Sequence, residues 1–277
     1  MKQRLITAFS LLALLAVIVW QIYTPFFIIV IAVFSAVSAY EIMKCSKLEN
    51  KFIMIVGIIV AAMIPFFANA NIMEPWVSAD VWFKVINAVP KTVYLVVLII
   101  AYLCAMLKGY SHTKFEQVAI ALFGSVLVPA GYAMFGLLRD VKGYHTQFGV
   151  YLIFYGLIAA LATDSGAQLT GMAIGKTKMA PNISPKKTVE GAAGGVVFSI
   201  IMQAVALVLY NHFAYVGLTA KEAAVMMGAA PFMSVLKRNF GVKDFGNIFP
   251  GHGGVMDRMD SSLFTIPVTY CIAILFF

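Results

Sequence analysis

Apolar runs recur along this chain at close intervals, and they limit its possible folds more than any other feature. Nine runs cover roughly 5–22, 25–43, 52–68, 92–107, 118–138, 149–163, 191–210, 222–236 and 261–277. A helix needs about 20 mainly apolar residues to cross a bilayer. Within lipid a helix satisfies its own backbone, and the alternating pattern of barrel strands is absent. The runs predict an all-α fold: a polytopic membrane helical bundle of about eight or nine transmembrane helices.

The charge distribution supports a membrane protein and predicts its orientation. Only 12% of the residues are charged, against about 25% in soluble domains. With the N-terminus inside and nine spans, the inner segments hold 15 of the 20 lysines and arginines. This asymmetry fits the positive-inside rule. It explains the net charge of +8 without a nucleic-acid partner and places the two most polar loops on the cytoplasmic side.

The chain has no evident internal repeat, so we expect a single membrane domain over 1–277. Within it, we expect 1–163 to form an N-terminal helical scaffold and 164–277 to be the catalytic part, with two cytoplasmic loops. The scaffold contains one carboxylate near the inner end of a span, Glu41. Such residues are functional candidates, but a position among the headgroups or a pair with Lys44, three residues on, is the favoured interpretation.

The first polar loop is predicted at 164–190, because its glycines and prolines argue against one long regular element. It combines hydroxyls, lysines and acids: Asp164, Lys176, Lys178, Ser184, Lys186, Lys187, Thr188 and Glu190. Lysines beside a glycine-rich turn suit a phosphate chain. Pro185 suits the first turn of a helix, with Ser184 or Thr188 as its cap. The alternative is a basic loop that only sets topology or contacts anionic lipid.

The second polar loop, 234–260, is the more informative. It carries three cations before a Pro-Gly-His-Gly-Gly turn and three carboxylates: Lys237, Arg238, Lys243, Asp244, Asp257 and Asp260. Asp257 and Asp260 are three residues apart, so on a helix they share a face. Two such carboxylates suit Mg²⁺, which takes its remaining ligands from water and phosphate. For His252, a hydrogen bond within the turn and a substrate contact are equally good interpretations.

In these two loops the chain resembles the phosphatidate cytidylyltransferases, also called CDP-diacylglycerol synthases. Their signature is Ser-x-x-Lys-Arg, four residues, Lys-Asp, then Pro-x-His-Gly-Gly-x-x-Asp-Arg-x-Asp. The stretch from Ser234 to Asp260 matches this signature throughout. The upstream Asp164-x-Gly166-Ala167 and the stretch 184–191 match the family's other motif.

The resemblance implies transfer of CMP from CTP to phosphatidate, with CDP-diacylglycerol and pyrophosphate as products of this step in phospholipid biosynthesis. It implies an Mg²⁺-dependent enzyme of a bacterial inner membrane, with CTP, phosphatidate and the bilayer as partners. A second cation and a homodimer are both compatible with it. The implied catalytic residues are Asp257, Asp260, Asp244 and Lys243. The implied metal ligands are Asp257, Asp260, Asp244 and Asp164. The implied substrate-binding residues are Ser184, Lys186, Lys187, Thr188, Glu190, Ser234, Lys237, Arg238, His252, Gly253, Gly254 and Arg258.

One departure from the family pattern keeps an alternative open. Shortly before the signature serine the family has Gly-Asp-Leu, whereas this chain has Ala229-Ala230-Pro231, with Ala230 in place of the carboxylate. A divergent member with weak or no catalysis is therefore one alternative. A transporter of an anionic solute is another, but it predicts charges within the spans and pseudo-symmetric halves. The sequence shows neither, apart from Glu41.

Overall fold

The computed structural model describes residues 13–69, 84, 90–110, 112–142, 147–180, 184–214, 218–226 and 254–277, and most of them are helical. They belong to two compact units: 1–137 with 243–259, and 138–242 with 260–277. The division into a helical scaffold over 1–163 and a catalytic part over 164–277 stays a prediction.

The described part of the first unit includes the helices α1 (Pro25–Cys45), α2 (Lys51–Ala68), α3 (Lys91–Lys108) and the short α7 (Val255–Met259). It also includes most of α4 (Phe115–Arg139), which contains a π-helical segment at Phe123–Leu127. Residues 13–20 are also helical.

Small and hydroxyl side chains let the helices of the first unit pack closely. The Ser35 hydroxyl of α1 donates to the Ala61 carbonyl of α2 at 2.7 Å. A Cβ at Gly57 would lie 2.8 Å from the Tyr102 hydroxyl, so the glycine makes room for α3. Buried polar groups in an apolar interior need such partners.

The second unit is built on the pairing of two long helices, α5 (Gln147–Ile174) and α6 (Val189–Phe213). A two-stranded antiparallel hairpin joins them, with β1 at Lys178–Ala180 and β2 at Ser184–Thr188. Lys178 is in register with Thr188, and Ala180 with Ser184. Helix α8 (Ser262–Phe276) packs against α5.

The membrane character of the fold is confirmed, whereas the number of spans is not. Within the described ranges, five helices are long and apolar enough to cross a bilayer: Pro25–Cys45, Lys51–Ala68, Phe115–Arg139, Gln147–Ile174 and Val189–Phe213. Each overlaps a predicted span. The runs at 92–107 and 261–277 correspond to shorter apolar helices. Most of the run at 222–236 lies outside the described residues.

Two local predictions about the loop at 164–190 were wrong. Helix α5 continues to Ile174, so Asp164, Gly166 and Gly171 are helical. A glycine costs a helix only about 1 kcal/mol, which packing against α6 offsets. The prediction of a helix beginning at Pro185 was also wrong, because Pro185 lies in β2 and α6 begins four residues later. The hairpin makes the fold mostly rather than purely helical.

Helix α5 is longer than a membrane span requires. Its 28 residues extend over about 42 Å at 1.5 Å per residue, whereas the hydrocarbon core of a bilayer is about 30 Å thick. Asp164 lies in the C-terminal part of this helix, which leads into the hairpin.

Candidate functional site

Helix α7 carries two of the candidate residues, Asp257 and Arg258. It begins immediately after Gly254, whose backbone N–H donates to Asp257 Oδ2 at 2.8 Å. Asp257 therefore accepts from the residue before the helix, as the third helical residue does in a capping box. In a complete box the residue before the helix returns a side-chain acceptor. Glycine has no side chain to do this.

The missing acceptor comes from α1. The Glu41 carboxylate accepts from the Val255 N–H at 3.1 Å and from the Met256 N–H at 2.9 Å, one oxygen to each. Glu41 is 2% exposed. The predicted pairing of Glu41 with Lys44 is wrong, since the Lys44 ammonium lies instead over the Tyr40 ring, 5.4 Å from its centroid.

Gly254 is required sterically at this junction. A Cβ there would lie 2.3 Å from Glu41 Oε1 and 2.5 Å from Glu41 Oε2. These distances are shorter than any normal contact. The carboxylate cannot move aside without losing its bonds to Val255 and Met256. The Gly254 of the signature therefore acts here by leaving room for Glu41, while its predicted contact with substrate stays a prediction.

In the second unit, two of the candidate metal ligands share one hydroxyl. Ser261 Oγ donates to Asp260 Oδ1 at 2.8 Å and lies 3.5 Å from Asp164 Oδ2. Asp260 Oδ1 also accepts from the Ser261 N–H. Asp164 comes from the exposed face of α5, and Asp260 lies in the turn after α7. Ser261 and Asp164, which are 97 positions apart in the chain, are thus brought together.

The expected common helical face of Asp257 and Asp260 is not found, since α7 ends at Met259, one residue before Asp260. Among the described residues, no group of three or more His, Cys, Asp or Glu side chains lies close enough to hold a metal ion. Asp244, the fourth predicted ligand, lies outside those residues. The assignment of a metal to these acids stays a prediction.

Thr188 begins α6. Its side-chain oxygen accepts from the Gly191 N–H at 3.2 Å, which is the bond expected of an N-cap threonine. One of the two predicted caps, Thr188, is therefore confirmed. The side chain is 6% exposed. This burial gives Thr188 a structural task, and its predicted contact with substrate stays a prediction.

Glu190, in the first turn of α6, fixes the backbone between α5 and the hairpin. Its carboxylate accepts from the Lys176 N–H and the Thr177 N–H, each at 3.1 Å. These bonds place the exposed backbone of the loop next to the positive end of α6. Lys187, on the same hairpin, is exposed.

The glycines around this junction allow α5 and α6 to touch. A Cβ at Gly175 would lie 2.7 Å from Thr188 Oγ1, and one at Gly194 would lie 2.1 Å from Thr170 Oγ1. A Cβ at Gly191 would meet the Ala167 carbonyl at 2.8 Å. The sequence reasoning placed Gly175 in a glycine-rich turn beside the lysines, and its part in binding phosphate stays a prediction. The contacts of Gly191 and Gly194 show that these two glycines serve the packing of α5 against α6.

Several predicted site residues lie outside the described part of the chain. These are Ser234, Lys237, Arg238, Lys243, Asp244, His252 and Gly253, together with Ala230. The backbone of Ser184 and Lys186 is described as part of β2, and their side chains are not.

The sequence reasoning considered Glu41 without identifying its partners, and it missed Ser261. Glu41 had one available signal, a carboxylate at the end of an apolar helix, but nothing in the sequence pointed to its partners more than 200 residues away. Ser261 had the signal of a hydroxyl directly after a candidate ligand.

Known proteins resemble this chain in sequence over most of its length. A model of the cytidylyltransferase family matches residues 2–276. The chain is 31% identical over 282 residues to the phosphatidate cytidylyltransferase of Bacillus subtilis (strain 168), covering 100% of this chain and 98% of that protein. It is 30% identical to the phosphatidate cytidylyltransferase of Staphylococcus aureus (strain COL), covering 79% of each chain. It is 26% identical to that of Haemophilus influenzae, covering 96% of each.

The chain is therefore a helical membrane protein and belongs to the cytidylyltransferase family. The relatives with which it aligns over most of its length bear the name phosphatidate cytidylyltransferase.

Proposed function

We propose that this protein is a phosphatidate cytidylyltransferase of a bacterial inner membrane, with its active site facing the cytoplasm. The reaction transfers CMP from CTP to phosphatidate and yields CDP-diacylglycerol and pyrophosphate. The observation that carries the proposal is the family match over residues 2–276 together with the full-length similarity to a phosphatidate cytidylyltransferase. The apolar helices also support the proposal, since an enzyme whose lipid substrate keeps its acyl chains in the bilayer needs contact with the membrane.

The chemistry suits a site built from cations and carboxylates. A phosphate oxygen of phosphatidate attacks the α-phosphorus of CTP, a new P–O bond forms, and the bond to the β-phosphate bridge breaks. The electron pair leaves with pyrophosphate. Because the nucleophile is already anionic, no strong general base is required. The barrier comes from repulsion between phosphates and from charge on the leaving group, which preorganised cations reduce.

Lysines and arginines of the two motifs are the residues we assign to the phosphates. They are Lys186, Lys187, Lys237, Arg238, Lys243 and Arg258. Lys187 is exposed on the hairpin at the start of α6, where it is accessible to a nucleotide. A positive helix end adds to the attraction for an anion. The remaining substrate contacts that we assign follow from the family motifs. They are Ser184, Thr188, Glu190, Ser234, His252, Gly253 and Gly254.

Carboxylates are suitable ligands for Mg²⁺, and Asp164 and Asp260 already converge on Ser261. We assign Mg²⁺ to Asp257, Asp260, Asp244 and Asp164. When bound, the cation would neutralise charge on the phosphates of CTP and the leaving pyrophosphate. Asp260 and Asp164 would be oriented for this by the Ser261 hydroxyl, and Asp257 by its bond to the Gly254 N–H.

The test is turnover by the purified protein in mixed micelles that contain phosphatidate. We expect CDP-diacylglycerol to form only when CTP, phosphatidate and Mg²⁺ are all present, and to be lost on chelation. Nucleotide binding without any turnover would overturn the catalytic proposal and favour a non-catalytic family member.

Ala230 is the specific feature in favour of that second candidate. It stands where the family pattern has a carboxylate. The Ala230→Asp variant separates the two cases. A rise in rate over a measurable wild-type rate indicates an active enzyme with one ligand fewer. Turnover that appears only in the variant indicates a wild-type protein without catalysis.

A further inference from the structure

The junction between Glu41 and the start of α7 has a feature that the proposed reaction does not explain. A fully buried carboxylate at the end of a membrane helix makes two hydrogen bonds to backbone N–H groups, at 3.1 and 2.9 Å. A buried charge is costly unless it is paired or hydrogen-bonded. Here both oxygens have backbone donors. Glu41 is therefore held in place by α7, and α7 is held in place by Glu41.

We infer that Glu41 is a positioning residue for Asp257 and Arg258, acting through the backbone at the start of α7. This inference rests on the proposed function for its kinetic consequence. Asp257 is the third residue of α7, so its side chain leaves the helix one residue after the two N–H groups that Glu41 accepts from. A five-residue helix has little stability of its own. Its position therefore depends on contacts such as these.

The arrangement amounts to a capping box divided between two distant parts of the chain. Asp257 supplies one half by accepting from the Gly254 N–H at 2.8 Å. Glu41 supplies the other half in place of a side chain at Gly254. A side chain at that position is excluded because its Cβ would lie 2.3 Å from Glu41 Oε1. Glu41 and Gly254 thus form a reciprocal pair, and each residue explains the identity of the other.

The first arm of the test compares two identical chemical changes. Glu41→Gln keeps the shape but leaves only one good acceptor for two N–H groups. Glu49→Gln is the matched control, since Glu49 is exposed in the connection between α1 and α2. We expect Glu41→Gln to lower kcat about 10- to 100-fold with a KM for CTP within about threefold of wild type, and Glu49→Gln to change neither.

The second arm does not depend on catalysis. Amide hydrogen exchange is measured by mass spectrometry on peptides that cover 254–260, with peptides from α2 as the internal reference. Glu41→Gln should speed exchange of the 254–260 peptides about tenfold or more and leave the reference unchanged. Unchanged exchange in 254–260 would overturn the inference, even if activity fell. Faster exchange in every peptide would show general unfolding and overturn it equally.

The third arm tests the reciprocity of Glu41 and Gly254. Gly254→Ser in the wild-type background should lower kcat, because the new side chain collides with the carboxylate. In a Glu41→Ala background the same serine has room and supplies a local cap, so its effect should be smaller than in wild type or reversed. If Gly254→Ser lowered kcat by the same factor in the wild-type and Glu41→Ala backgrounds, the inferred interaction between Glu41 and Gly254 would be contradicted.

The outcomes keep this inference separate from the proposed function. If wild-type protein shows no turnover, the proposed function fails, and the exchange measurement still decides whether Glu41 holds α7. If wild type turns over and Glu41→Gln matches it in kcat, the positioning role fails while the proposed function stands.

Discussion

Two helices of this protein begin next to candidate functional residues, and they are capped in opposite ways. Helix α6 begins with its own Thr188, which accepts from the N–H three residues on. Helix α7 follows Gly254 and has its N–H acceptor in Glu41. This residue lies 214 positions before Val255, one of the two donors, in the sequence. The first helix start is capped by a residue next to it in sequence, and the second is capped through the packing of α1 against α7.

The contrast indicates different consequences for the two regions. A cap from the adjacent residue stabilises the helix independently of its position in the fold, and its loss costs about 1 kcal/mol. A remote cap also fixes a position, since the short helix can be displaced once the carboxylate is gone. Loss of the Thr188 cap should therefore act mainly on stability, and loss of the contact between Glu41 and α7 mainly on catalysis.

The largest expected effect belongs to α7. Replacing Asp257 with Asn removes a negative charge from the assigned Mg²⁺ site, and we expect kcat/KM to fall by about 100- to 1000-fold. Membrane insertion and the thermal midpoint in detergent should stay at the wild-type level. Turnover assays beside a thermal melt provide the measurement. Wild-type turnover by this variant would remove Asp257 from the catalytic assignment.

A pair of glycine substitutions compares the two helix starts directly. Gly254→Ala should reduce kcat about 10- to 100-fold through the collision with Glu41, whereas Gly191→Ala should chiefly lower the thermal midpoint. The latter Cβ would lie 2.8 Å from the Ala167 carbonyl and 2.9 Å from Thr188 Oγ1, and such overpacking costs about 1–3 kcal/mol.

The control for this pair is a second change at Glu41. Glu41→Ala removes the carboxylate with which the Gly254→Ala side chain collides. The double variant should therefore have a higher kcat than the product of the two single effects predicts. None of the atoms that a Cβ at Gly191 would meet belongs to Glu41. Glu41→Ala should therefore not raise the lowered thermal midpoint of Gly191→Ala. If Glu41→Ala compensated the Gly191→Ala variant as well as the Gly254→Ala variant, the proposed difference between the two helix starts would be contradicted.

The smallest expected effect is at the local cap. Thr188→Ala should lower the free energy of unfolding by about 1 kcal/mol because the Gly191 N–H loses its acceptor. Thr188→Ser keeps the hydroxyl and should recover most of that loss. Thermal unfolding in detergent measures both variants. A large fall in kcat for Thr188→Ser, with stability retained, would instead give Thr188 a direct contact with substrate.

The same contrast explains which parts of the structure could be predicted from the sequence. Apolar runs and a threonine cap are local signals, so the spans at 25–43 and 191–210 and the cap at Thr188 were predicted. Glycines were misleading, because the sequence does not reveal that Gly166 lies inside α5, where a Cβ would be 2.4 Å from the Phe198 Cβ of α6. The role of Glu41 depends on a contact across most of the chain, which only the fold brings about.

The candidate site follows the same rule. Family motifs in the sequence supplied the residues and the reaction they imply. They did not indicate that Asp164 and Asp260 converge on Ser261 or that Asp257 depends on a helix held by α1. Motifs identify chemistry through residue types, whereas the supporting contacts involve common residues such as Ser and Glu, whose importance is set by their surroundings.

The most direct test of the account follows the phosphates of CTP through the reaction. CTP labelled at the α-phosphate and CTP labelled at the γ-phosphate are incubated separately with the purified protein, phosphatidate and Mg²⁺, and the lipid and aqueous phases are then separated. The account predicts that α-label enters the lipid as CDP-diacylglycerol, while an equal amount of γ-label appears in the water as pyrophosphate. Label in the lipid from the γ-position, or no label in the lipid from either, would contradict cytidylyl transfer.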